Sequence, residues 1–351
     1  MNDPRDNPCP DRRDFLQTAG LVGGTLALSG PLLRAEPPTL SNTGPDRIPH
    51  KPFGRNSETV SVIGIGGYSL GDAPSLEEAI AIVHEATDAG VNFFDNAWEY
   101  HDARSEEWMG KALQGRREKV FLMTKVCTHG RDKKVAMQQL EQSLKRLNTD
   151  HLDLWQVHEC VYDNDPDRHF AKGGVIEALD EAKKAGKVRY VGFTGHKHPS
   201  IHLKMLSHNY PFDSVQMPLN PFDATYRSFA SSVLPEVNKR GMAALGMKSL
   251  GGNGQPITQG VVTVAEALRY AMSLPVATTI SGIDSLAVLR QNLAIARGFT
   301  PMTAAEMQIL RDRCSKAAGD GHLELYKSTM KYDGDLGRQQ HGIPSHKETP
   351  L

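Results

Sequence analysis

The sequence predicts an α/β protein in which eight parallel strands, each followed by a helix, close into one (β/α)8 TIM barrel. Three observations carry that expectation. Short, mostly apolar runs recur eight times along the chain, and strands this continuous in apolar character are buried on both faces. Helix-period segments separate them, and strict strand–helix alternation marks a parallel sheet. The eight units occupy about 240 residues, the usual size of such a barrel, and no linker marks a midpoint. A doubly wound open sheet is the alternative with the same alternation.

The elements follow in order. Thr39 to Glu58 is polar and turn-rich, and "KPFGRNSETV" reads as a small hairpin, with Phe53 and Val60 on either side of Gly-Arg-Asn-Ser. The strand runs are Val60–Gly66, Asn92–Ala97, Val120–Val126, Leu152–His158, Val188–Thr194, Ser214–Leu219, Ala243–Lys248 and Ala277–Gly282. "SLEEAIAIVHEATDAG" is a helix entered at Ser75, with Glu78 placed for a reciprocal capping box, and left at Gly90. "DKKVAMQQLEQSLKRLN" carries Val135, Leu140, Leu144 and Leu147 near helical spacing. "GVIEALDEAKKAGK" stops at Gly186 and "SLAVLRQNLAIARG" at Gly298. One more helix runs from Thr303 to Ala318, before a polar tail.

A net charge of −1 argues against a nucleic-acid partner, which leaves a basic stripe. The N-terminus stands apart. Arg12-Arg13-Asp14-Phe15-Leu16 precedes a Gly- and Ala-rich apolar run too short to span a bilayer, then Ala35 before Glu36-Pro37-Pro38. This resembles a bacterial twin-arginine signal. It predicts the twin-arginine export machinery as a partner, cleavage after Ala35, a periplasmic or otherwise exported product and no membrane insertion of the mature chain. The expected division is a signal over residues 1–35, a linker over 36–51, the barrel over 52–318 and a polar tail over 319–351. Cys127, Cys160 and Cys314 are widely spaced, with no CxxC, so neither a zinc ribbon nor a disulfide framework is indicated. Cys127 and Cys160 sit two residues past Lys125 and His158. A disulfide between them and two separate thiols are both open.

Barrel enzymes carry their reactive groups at the C-terminal ends of strands. "FFDNAWEYH" puts Asp95 at the end of one strand and Tyr100 in the loop above it; "VFLMTKV" supplies Lys125 and "LDLWQVHE" His158. A buried charge needs a partner, so Asp95 and Lys125 are expected to pair. A lysine ammonium beside a tyrosine favours the phenolate and is expected to lower its pKa. The set reads as a general acid, Tyr100, tuned by Lys125 and Asp95 and assisted by His158.

These residues, with "SVIGIGGYSLG", "FFDNAWEYHDARSEEWMGKAL", "LMTKV", "GKVRYVGFTGH", "VQMPLN" and "ISGIDSLAVLRQNLAIA", resemble the aldo/keto reductase family from Pro52 to Gly298. The resemblance implies that Asp95, Tyr100, Lys125 and His158 form the catalytic tetrad. It also implies NADP- or NAD-dependent reduction of an aldehyde or ketone, a small-molecule substrate. Gly66, Gly67 and Tyr68 match the loop near the nicotinamide ribose. Thr194 and Gln216 match carboxamide contacts, though Thr194-Gly195 replaces the family's Ser-Asn pair. Met247 stands where an aromatic often stacks on the nicotinamide; Lys248, Ser249, Leu250 and Gly251 match the pyrophosphate loop. Gly282, Asp284, Gln291 and Asn292 match the adenosine end. The basic residues that many members direct at a 2′-phosphate are absent: Gly282 and Val288 stand in their places, Asp284 would repel a phosphate, and a strict NADP preference is not expected. Trp98, His129, Tyr162, His196 and the C-terminal tail are the expected substrate-side residues.

Two other readings come from the same residues. His196, His198 and His202, with His158 and Asp95, suggest a metal-dependent barrel hydrolase; the lysine at the floor argues against it, and no metal is expected. A non-catalytic nucleotide-sensing protein on the same fold is the other. "GIGGYSLG" is not a Rossmann fingerprint, because Ser69 holds the third glycine's position and helix signals begin only near Ser75.

Overall fold

The computed structural model describes residues 47–127, 132–346 and 348. The expected export segment, residues 1–35, and His129 lie outside the described residues.

An antiparallel hairpin comes first, β1 (His50–Pro52) paired with β2 (Thr59–Ser61). Eight parallel strands follow: β3 (Ile63–Gly66), β4 (Phe93–Asp95), β5 (Phe121–Val126), β6 (Leu152–Val157), β7 (Val188–Thr194), β8 (Ser214–Pro218), β9 (Ala243–Met247) and β10 (Thr278–Gly282). Each pairs with the next and β10 closes on β3, giving a complete barrel. The run expected as one strand from Val60 is therefore two. The Ser61 hydroxyl donates to Ile63 O (2.7 Å) and accepts from Asn92 N (3.1 Å), which turns the chain from hairpin into barrel. Phe53, from the hairpin, enters the barrel interior beside Phe93, Phe121, Met123, Leu154 and Leu245, and plugs its floor.

The side-chain period of two then decides what reaches the mouth. In β4, Phe93 points inward and Phe94 packs outward against the helices, so Asp95 points inward again. The same parity carries Phe121 and Met123 to Lys125, Leu154 to Gln156, and Leu245 to Met247. The acid at the end of an apolar strand is thus the third inward position of that strand.

The helices match their sequence signals with two exceptions. A short helix, Gly67–Gly71, follows β3 directly, ahead of the signals expected near Ser75. Ser75 accepts from Glu78 N (3.2 Å), but the capping box is not reciprocal. Glu78 Oε1 accepts instead from Leu286 N (3.2 Å), tying the helix Leu76–Asp88 to the start of the helix Leu286–Arg297. Reciprocal boxes occur at Thr263 with Glu266 and at Thr303 with Glu306.

The stretch that reads as a polar tail folds in place. Short helices Leu325–Ser328 and Asp335–Gln340 lie within it, and Tyr326, Lys327, Asp333 and Arg338 are buried. Lys327 Nζ bridges Asp223 Oδ1 (2.6 Å) and Glu324 Oε2 (2.9 Å), both fully buried. Gly334 N donates to Glu159 Oε2 (3.0 Å), and a β-carbon at Gly334 would sit 2.8 Å from that oxygen. Glu159 follows His158 directly, in left-handed backbone at φ 50°. The segment therefore reaches the strand ends of the barrel.

Two buried histidines give a stability prediction. Burial lowers the pKa of His202 to about 4 and of His196 to about 3. Both are neutral in the fold and titrate near pH 6.5 when unfolded. The unfolded chain then binds more protons between those values, so acidification destabilises the fold. Melting temperature is expected to fall as pH drops below about 6.5, and His202→Gln should flatten that slope in a calorimetric pH series. An unchanged slope would contradict burial of a neutral His202.

Candidate active site

Four side chains from neighbouring elements converge at the mouth. Lys125 Nζ donates to Asp95 Oδ1 and to Asn96 O (2.8 Å), and lies 3.4 Å from the Tyr100 hydroxyl. That hydroxyl lies 3.5 Å from His158 Nε2. Lys125 and Asp95 are both buried, so the ion pair is held away from water. The expected pairing and grouping are what the structure shows.

The electrostatics of Tyr100 depart from the sequence reading. Its pKa is raised well above the ordinary tyrosine value, first by burial and then by the charges of Asp95 and Glu99. The lysine does not produce a phenolate, because Asp95 offsets its charge and the buried phenol resists ionisation. The Tyr100 phenol is held in its protonated form.

Glu99, which the sequence left without a role, is the residue that sequence reasoning missed. Its Oε1 accepts from His158 Nδ1. Burial works against the charged form, but the charge and hydrogen bond of His158 outweigh it, and the carboxyl lies below its usual range. A carboxylate on Nδ1 orients the ring and presents Nε2 to Tyr100. An acid immediately before the loop tyrosine was the only signal available.

The other predicted residues divide. Gly66 and Gly67 are buried at the end of β3; a β-carbon at Gly67 would lie 2.5 Å from Asp95 O, so only glycine lets this loop pack on β4. Tyr68 is exposed at the rim, with its ring edge-on to Tyr100 at 5.3 Å. Thr194 and Gln216 are buried; Gln216 Nε2 donates to Asp95 Oδ2 (3.1 Å) and lies 3.7 Å from Met247 Sδ. Ser249 is buried, Leu250 half-buried, and Gly251 buried at φ 78°. Gly282 and Asp284 are exposed. Gln291 and Asn292 lie on opposite sides of their helix: Gln291 is exposed, while Asn292 is buried and donates to Ser281 Oγ (3.1 Å).

Trp98 does not join the contacts around Tyr100. Its indole donates to Gln142 Oε1 (2.7 Å) and carries the Arg146 guanidinium on its face at 5.3 Å, both on the helix Lys133–Arg146. Its backbone N donates to Lys125 O (3.1 Å), so the residue braces the loop from outside. His196 is buried 3.8 Å from Asp333 and edge-on to Tyr326, facing the C-terminal segment. The Tyr162 ring meets His341 at 3.9 Å, tilted by 35°. Cys127 and Cys160 are buried, and no disulfide joins them among the described residues. Nor do the described residues contain a group of three histidine, cysteine or acidic side chains placed to hold a metal.

Polar atoms left over at the mouth fit a nicotinamide nucleotide. Gln216 Oε1, Asn96 Nδ2 and, farther out, Asn292 Oδ1 are buried with no hydrogen-bond partner. An unsatisfied buried amide costs stability, and a ligand amide would satisfy it.

A family model described as the aldo/keto reductase family matches residues 62–255. The chain is 26% identical over 311 residues to a protein named uncharacterized oxidoreductase YqkF of Bacillus subtilis, covering 77% of this chain and 98% of that one. Among solved structures it resembles aldo-keto reductase AKR11C1 from Bacillus halodurans in its holo form, with TM-score 0.64, 23% identity, and 79% and 100% of the two chains covered. It also resembles an aldo/keto reductase from Klebsiella pneumoniae in complex with NADP and acetate, with TM-score 0.61, 21% identity, and 76% and 94% covered. At these identities the structural likenesses speak for the fold.

Proposed function

The chain belongs to the aldo/keto reductase family of oxidoreductases, and from that premise we propose that it reduces an aldehyde or ketone with NADH or NADPH, using Tyr100 as the general acid. One observation carries this reading: the Tyr100 hydroxyl stands between Lys125 Nζ and His158 Nε2, 3.4 and 3.5 Å away, and burial keeps it protonated.

When bound, the nucleotide supplies a hydride to the carbonyl carbon. The rest of the chemistry falls to this chain. His158 Nε2 and the Tyr100 hydroxyl bracket the place of the carbonyl oxygen. As negative charge grows there, the Tyr100 proton moves to it, and the phenolate left behind is stabilised by Lys125. Asp95 holds Lys125 charged, and Glu99 holds His158 in place. A preorganised donor of this kind needs no rearrangement during reaction. Thr194 and Gln216 would hold the carboxamide, Gly66, Gly67 and Tyr68 the ribose side, Ser249 to Gly251 the pyrophosphate, and Asn292 the adenosine end.

A panel of aldehydes and ketones, assayed by nucleotide absorbance, tests the reading; no carbonyl-dependent oxidation of either nucleotide would sink it. NADPH is expected to bind no more tightly than NADH. Asp284 would repel an added phosphate, and the nearest arginine, Arg290, is already engaged by Glu85 through two contacts of 2.9 Å. A tenfold preference for NADPH in a fluorescence titration would contradict this assignment.

We also propose export. The support is the twin arginines, Arg12 and Arg13, and the apolar run that follows. No helix of the described residues is long and apolar enough to cross a membrane. N-terminal sequencing of the chain from its source cells tests this: a start near Glu36 supports export, and an intact Met1 in the cytoplasm refutes it.

A further inference from the structure

Most charges at the mouth are matched by a partner. Lys125 is paired with Asp95, the Glu99 carboxylate is held by the His158 ring, and Glu159 accepts from Gly334 N. Lys248 is the exception: it makes no ion pair among the described residues, and its ammonium instead lies over two aromatic faces, Tyr326 at 5.3 Å and Tyr332 at 5.0 Å. Ring faces attract a cation without occupying its N–H donors.

The arrangement is built. Lys248 follows Met247 at the end of β9, in left-handed backbone at φ 55° that lysine rarely adopts. Asn220 Nδ2 reaches both Lys248 O (3.3 Å) and the Tyr326 hydroxyl (2.9 Å), so one amide fixes the strained residue and the ring beneath it. The Tyr326 hydroxyl is also held by Glu324, which the buried Lys327 locks to Asp223. A β-carbon at Gly252 would come within 3.4 Å of the Tyr326 ring. Strain and buried polar networks of this kind persist where the surroundings over-determine them, and they cluster at ligand sites.

Lys248 also borders the reaction centre, since it follows Met247, whose Sδ lies 3.7 Å from the Gln216 amide that donates to Asp95. Glu159, Lys125 and Asp95 all act on its ammonium electrostatically. Burial lowers its pKa to about 8, which leaves it mostly cationic at neutral pH.

Resting on the carbonyl-reductase reading above, we propose that Lys248, framed by Tyr326 and Tyr332, binds an anionic group on the substrate, so that the enzyme prefers carbonyl compounds carrying a carboxylate. The family resemblance places Lys248 in the pyrophosphate loop; the geometry lays its head group over two rings of the C-terminal segment. That segment then has a purpose, since it supplies both rings of the subsite.

The test compares succinic semialdehyde with butanal, which share a chain length and an aldehyde and differ in the carboxylate. The wild type is expected to favour the acid in kcat/KM. Lys248→Met, which keeps the stem and removes the charge, should cut the acid-to-neutral ratio by roughly 10- to 100-fold, the size of a lost charged hydrogen bond. The effect should appear in KM, with the NADH dissociation constant within threefold of wild type by tryptophan fluorescence. Equal losses on both aldehydes together with weakened NADH binding would overturn the proposal and return Lys248 to the nucleotide. A wild type that reduces both aldehydes without preference would also overturn it, while leaving the reductase reading intact. Failure to reduce any carbonyl would instead refute that reading. Tyr332→Leu, which removes one ring without touching the charge, is expected to move the ratio the same way by a smaller factor.

Discussion

Replacing Tyr100 by phenylalanine should lower kcat by roughly 10²- to 10⁴-fold, the range for a positioned general acid, while leaving nucleotide affinity nearly unchanged. The reasoning is geometric. The hydroxyl is the atom that lies between Lys125 Nζ and His158 Nε2. Phenylalanine keeps the ring that Lys125 overlies at 5.0 Å and that Tyr68 meets edge-on, so packing is preserved and only the hydroxyl is lost. The pH profile should differ from that of an enzyme using a tyrosinate. Because burial raises the pKa of Tyr100, reduction should hold its rate through neutral and mildly alkaline pH. Parallel loss of turnover and binding in the variant, or turnover near wild type, would remove Tyr100 from the proton-transfer step.

The second large effect belongs to the pair beneath it. Asp95→Leu should destabilise the fold by about 3–5 kcal/mol, the usual cost of stranding one member of a buried ion pair. Lys125, almost fully inaccessible, would keep only Asn96 O and the distant phenol. Gln216 would lose the acceptor for its Nε2 as well. Adding Lys125→Met should recover much of the stability, since two well-packed apolar groups often replace a buried pair at little cost. Activity should not return. Denaturant unfolding of the two single variants and the double variant, with kcat measured on each, separates the pair's structural role from its chemical one. If the double variant recovers turnover, Lys125 does not stabilise the phenolate. If Asp95→Leu is as stable as wild type, the pair is not buried as described.

The barrel was legible because its signals are local and repeated. Eight apolar runs and their helices survive in the structure, the first run broken at Val62 and the others changed at their ends. The tetrad was legible for the same reason that Asp95 looked odd: an acid on the inward parity of an apolar strand has to meet a partner, and Lys125 holds the matching place on the next strand. What the sequence hid depends on contacts between distant segments. Glu99 looks like a loop acid until His158, 59 positions away, closes on it. Glu78 looks like a capping-box partner until Leu286 takes its carboxylate. The final stretch looks like a solvated tail because its charges are visible in sequence and their partners are not; Lys327 meets Asp223 across 104 positions. The contacts of Trp98 were hidden for a related reason, since nothing local indicates that Gln142 and Arg146 hold its indole. The tyrosine pKa was misjudged by weighing the lysine alone, without Asp95, Glu99 and burial.

The most direct test of the central claim follows the hydride. The enzyme is given NADH deuterated at the transferable position together with an aldehyde that it turns over, and the alcohol product is examined by mass spectrometry. A single deuterium on the carbinol carbon, formed by wild type and lost with the turnover of Tyr100→Phe, is the result this site predicts. An alcohol without deuterium, or product formation that proceeds at full rate without nucleotide, would contradict it.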